Sequence, residues 1–206
     1  MPLPNRVTPF GELVADPARG EMFGNRGGRI HDPATRAPLR RRWASKAWIC
    51  CVLSFKGRRR AVWGAGYTEL FFCDEVTALA AGHRPCFECR REAALAYAGA
   101  VGEGLGLSAR PSAPEMDDRL HAERREVFAG GGPVLQARDL PDGAMFAQGQ
   151  HAFAVRGGHA LPWSFVGYGA PRPLPRGPVE VLTPAATLAA LRAGYAPLWH
   201  SRAPNP

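Results

Sequence analysis

The chain contains no run approaching the ~20 apolar residues of a membrane-spanning helix, so no spanning segment is expected. Its opening residues, MPLPNRVTPFGEL, lack the charged-then-apolar pattern of a secretory signal, and the expected location is the cytoplasm. There is no Walker sequence and no G-x-G-x-x-G after a strand, which leaves no strong nucleotide-binding loop. No internal repeat is visible. Lysine is scarce, and Asp and Glu are missing altogether between Arg36 and Arg60, a stretch that holds nine Lys or Arg.

What is present bounds the answer further. At 206 residues with 46% apolar content, the chain can bury one good core or two small ones. Glycine (24) and proline (20) are abundant, so turns and loops should be plentiful. A net charge of +8 favours a polyanionic partner, nucleic acid ahead of an anionic membrane surface. Five cysteines, an odd number in a reducing compartment, point to metal binding or chemistry and away from disulfides.

The expected fold class is α+β: a small mixed α/β zinc-stapled module, then a short-stranded β unit closed by a C-terminal helix. Residues 1–35 read as an irregular glycine-rich arm, with Asn25, Arg26 and His31 as a compact polar set. Residues 36–107 read as the basic zinc module. Within it, 47–55 is a buried strand, Lys56-Gly57-Arg58-Arg59-Arg60 a cationic hairpin tip, and 61–63 the start of the return. Asp74 caps a short helix that Gly82 ends, and a second helix starts at Arg91. Residues 108–133 form a linker and a charged helix from Glu115 to Phe128. Residues 134–206 are short strands with a final helix after Thr183 and Pro184, packed on the first module.

Cys86-Phe87-Glu88-Cys89 is the strongest chemical signal. Cys-x-x-Cys after a proline lets two thiolates from one turn hold a tetrahedral ion, and a structural zinc site takes four ligands. Cys50, Cys51, Cys73, His31, His83 and His121 are the available completions. Cys50 and Cys51 are neighbours on a strand and should face opposite sides. One of them can reach the knuckle, and both only at a strand end or bulge. Cys73 reads as a small buried hydrophobe. The expected ligand set is drawn from Cys50, Cys51, Cys86 and Cys89, with Zn²⁺ as the cofactor.

The run Phe71-Phe72-Cys73-Asp74 through Gly82-His83-Arg84-Pro85-Cys86-Phe87-Glu88-Cys89-Arg90 resembles the metal-binding domain of the Ada DNA-repair proteins. There, too, a Phe-Phe strand, a capped Ala-Leu helix ending in Gly and an Arg-Pro-Cys-x-x-Cys knuckle follow one another. The resemblance spans about residues 48–92. It implies a zinc module on a small α/β scaffold that contacts the DNA backbone, with Cys50 or Cys51, Cys86 and Cys89 as ligands. The family's first two cysteines are three residues apart, whereas Cys50 and Cys51 are adjacent, so neither the fourth ligand nor the methyl-acceptor role carries over. Neither the helix-turn-helix nor the alkyltransferase part of that family is recognisable in the flanks.

Three readings of function follow. In the first, the protein binds zinc and nucleic acid (DNA ahead of RNA) in repair or processing of modified DNA. The contacts are backbone-dominated and made by Arg40, Arg41, Arg42, Lys46, Lys56, Arg58, Arg59, Arg60, Arg84, Arg90 and Arg91, with Trp43 stacking on a base. In the second, it is a zinc-dependent hydrolase or deaminase acting on a nucleobase or nucleotide. His121-Ala122-Glu123 and Pro85-Cys86-x-x-Cys89 are the halves of a deaminase signature in inverted order, and His121, Glu123 and His31 are the catalytic candidates. In the third, the zinc and the basic surface only dock the protein on a partner. No oligomeric state is implied.

Overall fold

Helix α1, Glu75–Ala80, is only six residues long and is buried along its whole length. A short helix with apolar residues on every side is stable only inside a core, and α1 touches all three apolar clusters of the protein. Ala78 and Ala81 just beyond it join Val7, Met22, Cys50, Leu70 and Phe72. Val76 and Ala80 join Met145, Ala154 and Leu182. Leu79 joins Tyr97, Val101, Phe146 and Leu188. The Asp74 carboxylate caps α1 by accepting from the Thr77 amide (2.9 Å) and hydroxyl (2.7 Å). Gly82 ends it at φ +80°, where a β-carbon would lie 2.6 Å from the Arg124 side chain. This computed structural model describes residues 1–58, 61–129 and 131–206. Arg59 and Arg60, both expected to contact nucleic acid, lie outside the described residues.

On one side of α1 lies a mixed six-stranded sheet. Its strands are β1 (Arg6–Val7), β2 (Leu13–Val14), β3 (Met22–Arg26), β4 (Trp48–Cys51), β5 (Leu70–Phe72) and β6 (Arg84–Pro85), in the order β2-β1-β5-β3-β4-β6. On the other side lies an antiparallel sheet built from β7 (Val134–Gln136), β8 (Met145–Gln148), β9 (His151–Arg156), β10 (His159–Ser164), β11 (Gly167–Tyr168), β12 (Arg172–Pro173) and β13 (Pro178–Val181). Helices α2 (Arg91–Gly104), α3 (Ala113–Phe128) and α4 (Ala185–Arg192) complete an α+β fold. No helix among the described residues is long and apolar enough to cross a membrane.

Two expectations are corrected here. The segment read as an irregular arm supplies β1, β2 and β3, and β3 sits inside the sheet between β4 and β5. The glycines that hid it are packing requirements: a β-carbon on Gly24 would sit 2.2 Å from the Ile49 carbonyl oxygen. The expected cationic hairpin has no return strand among the described residues: strand β4 ends at Cys51 and pairs antiparallel with β3 and parallel with β6, and the described residues of 52–68 run as loop along one face of the sheet.

Strand alternation sorts the first sheet into two chemistries. Met22, Trp48, Cys50, Leu70 and Phe72 point into the core. Phe23, Asn25, Ile49, Cys51, Glu69 and Phe71 line the opposite face, under the 52–68 loop. The pairings Phe23↔Cys51, Asn25↔Ile49 and Phe23↔Phe71 keep these residues in rows.

At the core edge of β4, Trp48 lies between two arginines, with Arg26 Cζ 4.0 Å and Arg124 Cζ 4.2 Å from its ring centroid. His83 is fully buried against Trp48 and Phe72, and neither ring nitrogen has a hydrogen-bond partner among the described residues. Burial, then the Arg26 and Arg124 charges, push its pKa well below the ordinary histidine value. The unfolded chain therefore binds this proton more readily than the folded one. Below about pH 6.5, stability should fall with acid by up to about 1.4 kcal/mol per pH unit, and above it this contribution should be flat. Urea midpoints at pH 7.5 and 5.5, taken with chelator so that metal release plays no part, should differ more for the wild type than for His83→Leu.

Candidate metal centre

Three sulfurs come together at the end of β4. Cys51 is the last residue of that strand, and Cys86 and Cys89 flank the turn that follows β6. The parallel pairing of β4 and β6 brings the knuckle to this point, and the Cys86 amide donates to the Cys50 carbonyl (3.0 Å). The backbone then wraps the Cys86 sulfur. The Glu88 amide donates to Cys86 Sγ (3.4 Å), and the Arg90 amide closes the turn on the Cys86 carbonyl (3.0 Å). All three sulfurs lie within 4.8 Å of one another.

That donor set fits a soft divalent ion. A tetrahedral zinc with Zn–S of about 2.3 Å sets its sulfurs about 3.8 Å apart, compatible with three sulfurs that lie within 4.8 Å of one another. The protonation pattern has the same sense. The Cys86 thiol is pulled down to about 5, first because Cys51 donates to it and then because the Cys89 and Glu88 amides do. The Cys51 thiol is pushed up, first by that shared bond and then by burial. Cys89 is pushed up chiefly by burial. Cys86 alone thus favours the thiolate while Cys51 and Cys89 hold their protons, and a metal ion binds by replacing such protons.

Cys50 is not part of the cluster. Alternation turns it into the core, where it packs with Met22, Leu70 and Phe72 and lies 3.8 Å from Arg90 Nη1. Cys73 is also buried, with its thiol pushed up by burial, in keeping with a small hydrophobe. Among the described residues, no fourth His, Cys, Asp or Glu joins the three.

Around the cluster, buried ion pairs hold the knuckle in place. Arg90 makes two bonds to Glu75, Nη1–Oε1 at 2.8 Å and Nη2–Oε2 at 2.6 Å. Arg84 makes two to Asp117, Nε–Oδ1 at 2.8 Å and Nη2–Oδ2 at 2.7 Å. Arg84 and Arg90 were expected at a nucleic-acid surface, but both are buried and neutralised by these carboxylates. One pair anchors the start of α2, immediately after Cys89. The other ties β6 to α3.

A search of protein-family models, curated proteins and solved structures finds nothing that matches this chain.

The catalytic candidates lie elsewhere. His31 is fully buried, stacked on Trp63, with Nδ1 2.6 Å from the Thr68 hydroxyl and Nε2 2.9 Å from the Gly64 carbonyl. Both ring nitrogens are therefore committed to holding the 52–68 loop. His121 meets the edge of Trp43, while Glu123, two residues on, accepts from the Ala186 amide at the start of α4 (3.1 and 3.2 Å). Residues i and i+2 diverge on a helix, and neither side chain lines the face that carries the three cysteines.

The remaining cations are at the surface. Arg40, Arg41, Arg42, Lys46, Lys56, Arg58 and Arg91 are exposed. Arg42 lies over the Phe128 ring (4.7 Å) and Arg41 donates to the Arg29 carbonyl. Lys46 pairs with Asp118 (2.7 Å) and Arg58 with Glu88 (2.5 Å). Such exposed pairs contribute roughly 0–1 kcal/mol and are readily exchanged for a phosphate. Trp43 is half-buried and packs on Trp48, His121 and Phe128, so it covers α3 and is not a free stacking platform.

Residues that the sequence reading passed over are Phe23, Tyr67, Glu69 and Phe71. They join Asn25, Phe55, Arg58 and the three cysteines in lining one cleft. The available signal was the alternation Phe23-x-Asn25 beside Glu69-x-Phe71, which was hidden because glycines made β3 look like a loop.

Proposed function

We propose that the protein binds zinc through Cys51, Cys86 and Cys89 and binds nucleic acid beside that centre, in the repair or processing of modified DNA. The observation that carries this reading is the three-sulfur cluster, which lines a cleft together with Arg58. Support comes also from the exposed run around Arg40–Arg42, from the +8 charge, and from the resemblance of residues 71–90 to the Ada metal-binding domain. Zinc held by the Cys51, Cys86 and Cys89 thiolates would staple β4 to the knuckle. Arg58 and Lys56 near the cluster, and Arg40 to Arg42 on a separate part of the surface, neutralise phosphates.

This assigns different effects to different arginines. Arg40→Ala/Arg41→Ala/Arg42→Ala should weaken binding to any sequence and flatten the dependence of log K on log[salt] by about two to three units. Titrations of the metal-loaded protein at several salt concentrations measure it, and an unchanged slope would remove this segment from the interface.

A hydrolytic reading has one observation in its favour: among the described residues the cluster supplies three protein ligands and not four. A catalytic zinc keeps one position for water, and Glu69 lies in the same cleft as a carboxylate able to move a proton. In this form the reaction does not pass through His121 or Glu123. Turnover of a nucleobase-containing substrate that disappears in Glu69→Gln with zinc retained would favour it.

A further inference from the structure

Arg26, the last residue of β3, is 1% exposed, and no carboxylate among the described residues pairs with it. Its Nε has no hydrogen-bond partner among them either. Nη2 donates to the Gly11 carbonyl (2.7 Å), while Nη1 reaches only the Arg42 carbonyl, at 3.5 Å. Carbonyls orient a guanidinium without cancelling its charge. Burial first, then the Arg124 and Arg42 charges, pull the Arg26 pKa down to about 9. At Arg124 burial acts in the same direction, but Asp117 and Glu123 oppose it. The cation left without compensation is therefore Arg26, and a lone buried charge is costly to keep.

Gly11, Arg26 and Arg42 line one cleft of about 310 Å³, which places the Nη end of Arg26 in its wall. This cleft shares no lining residue with the one beside the cysteines. Arg41 and Arg42 stand at its mouth, both exposed. Arg41 donates to the Arg29 carbonyl and Arg42 lies over the Phe128 ring (4.7 Å), so neither is neutralised by a carboxylate among the described residues. Glu12 is the acid of the lining; it is exposed and makes no ion pair among the described residues. Three guanidinium groups against one carboxylate leave an excess that suits a dianion. Leu13, Ile30 and Leu39 complete the walls and keep the local dielectric low, which strengthens that attraction. The planar guanidinium fork also matches the oxygens of a phosphate.

We infer that this cleft seats one phosphate monoester, which meets the buried Arg26 guanidinium and lies between Arg41 and Arg42 at the mouth. The terminal phosphate of a nucleic-acid strand and a small phosphate ester share this chemistry. The first of these sources rests on the nucleic-acid reading above; the site itself does not.

The test titrates inorganic phosphate, at constant ionic strength, into the metal-loaded full chain and follows backbone amide shifts by NMR. The Gly11 and Leu13 amides should shift together and saturate. Arg41→Ala/Arg42→Ala should raise the phosphate Kd about tenfold, the scale of one charge-assisted hydrogen bond. Arg26→Met should abolish saturation, and Arg172→Ala, on the second sheet, should leave it unchanged. Circular dichroism establishes that the variants are folded, and the exposed pair serves if Arg26→Met is not. Absence of saturation at Gly11 and Leu13, shifts confined to the Cys86 and Glu88 amides beside the metal, or an unchanged Kd in the Arg41/Arg42 variant would overturn the site. Internally labelled DNA single strands ending in phosphate or in hydroxyl then separate the sources. Tighter binding of the phosphate-ended strand, lost in the Arg41/Arg42 variant, assigns the site to a strand end. Equal binding of the two strands assigns it to a small phosphate ester. Failure to bind either strand, with phosphate still seated, would overturn the proposed function and not the site.

Discussion

Cys51→Ser should strip the protein of zinc, from about one equivalent per chain to near none, whereas Cys50→Ser should leave the metal content unchanged. The two positions are adjacent and chemically identical, and only strand alternation separates them. Cys51 lies within 4.8 Å of the Cys86 and Cys89 sulfurs, while Cys50 is packed among Met22, Leu70 and Phe72. Cys86→Ser and Cys89→Ser should behave as Cys51→Ser does, and Cys73→Ser as Cys50→Ser. Because metal binding is coupled to folding, the three ligand variants should also lose the stabilisation that added zinc gives the wild type. Metal analysis by mass spectrometry after gel filtration reads the content directly. Zinc lost from Cys50→Ser and kept in Cys51→Ser would reverse the assignment.

Glu75→Ala should cost about 3–5 kcal/mol, a large part of the total stability of a domain this size. Glu75 is fully buried, and its carboxylate accepts two bonds from Arg90, one from the Tyr195 hydroxyl (2.6 Å) and one from the Leu198 amide (2.8 Å). Removing it leaves a buried guanidinium without a counter-charge. The double variant Glu75→Leu/Arg90→Met removes both charges and should recover part of the loss, which a simple cavity would not allow. Denaturant midpoints of the three proteins decide between these. Arg90 also begins α2 one residue after Cys89, so Glu75→Ala should weaken zinc binding although it touches no ligand.

Much of this core was legible before the structure. Asp74 as a cap, Gly82 as a left-handed end and Pro85-Cys86-x-x-Cys89 as a turn are all local signals, and each folds as its chemistry dictates. Alternation allowed both Cys50 and Cys51 to reach the knuckle only at a strand end or bulge, and the expected ligand set kept both; the structure brings only Cys51 there. Choosing between them required the register of β3 on β4, and β3 was invisible because Gly24 interrupts its pattern to admit the Ile49 carbonyl.

The cationic residues show the opposite failure. Arg84 and Arg90 looked like surface charge because they sit in a basic run. Their partners, Asp117 and Glu75, are 33 and 15 residues away along the chain. Nothing local distinguishes an arginine that neutralises a phosphate from one that neutralises a distant buried carboxylate. The pairing of His121 with Glu123 failed for a geometric reason: on α3 the two residues point to different neighbours, Trp43 and the start of α4. The cleft itself was out of reach, since its walls come from three strands and a loop that meet only in the folded sheet.

The most direct measurement is X-ray absorption at the zinc edge of the purified protein. Three sulfur neighbours at about 2.3 Å and one oxygen or nitrogen neighbour at about 2.0–2.1 Å are the predicted result. Four sulfur neighbours, or a protein that cannot be loaded with zinc, would contradict a three-cysteine centre opening onto the cleft.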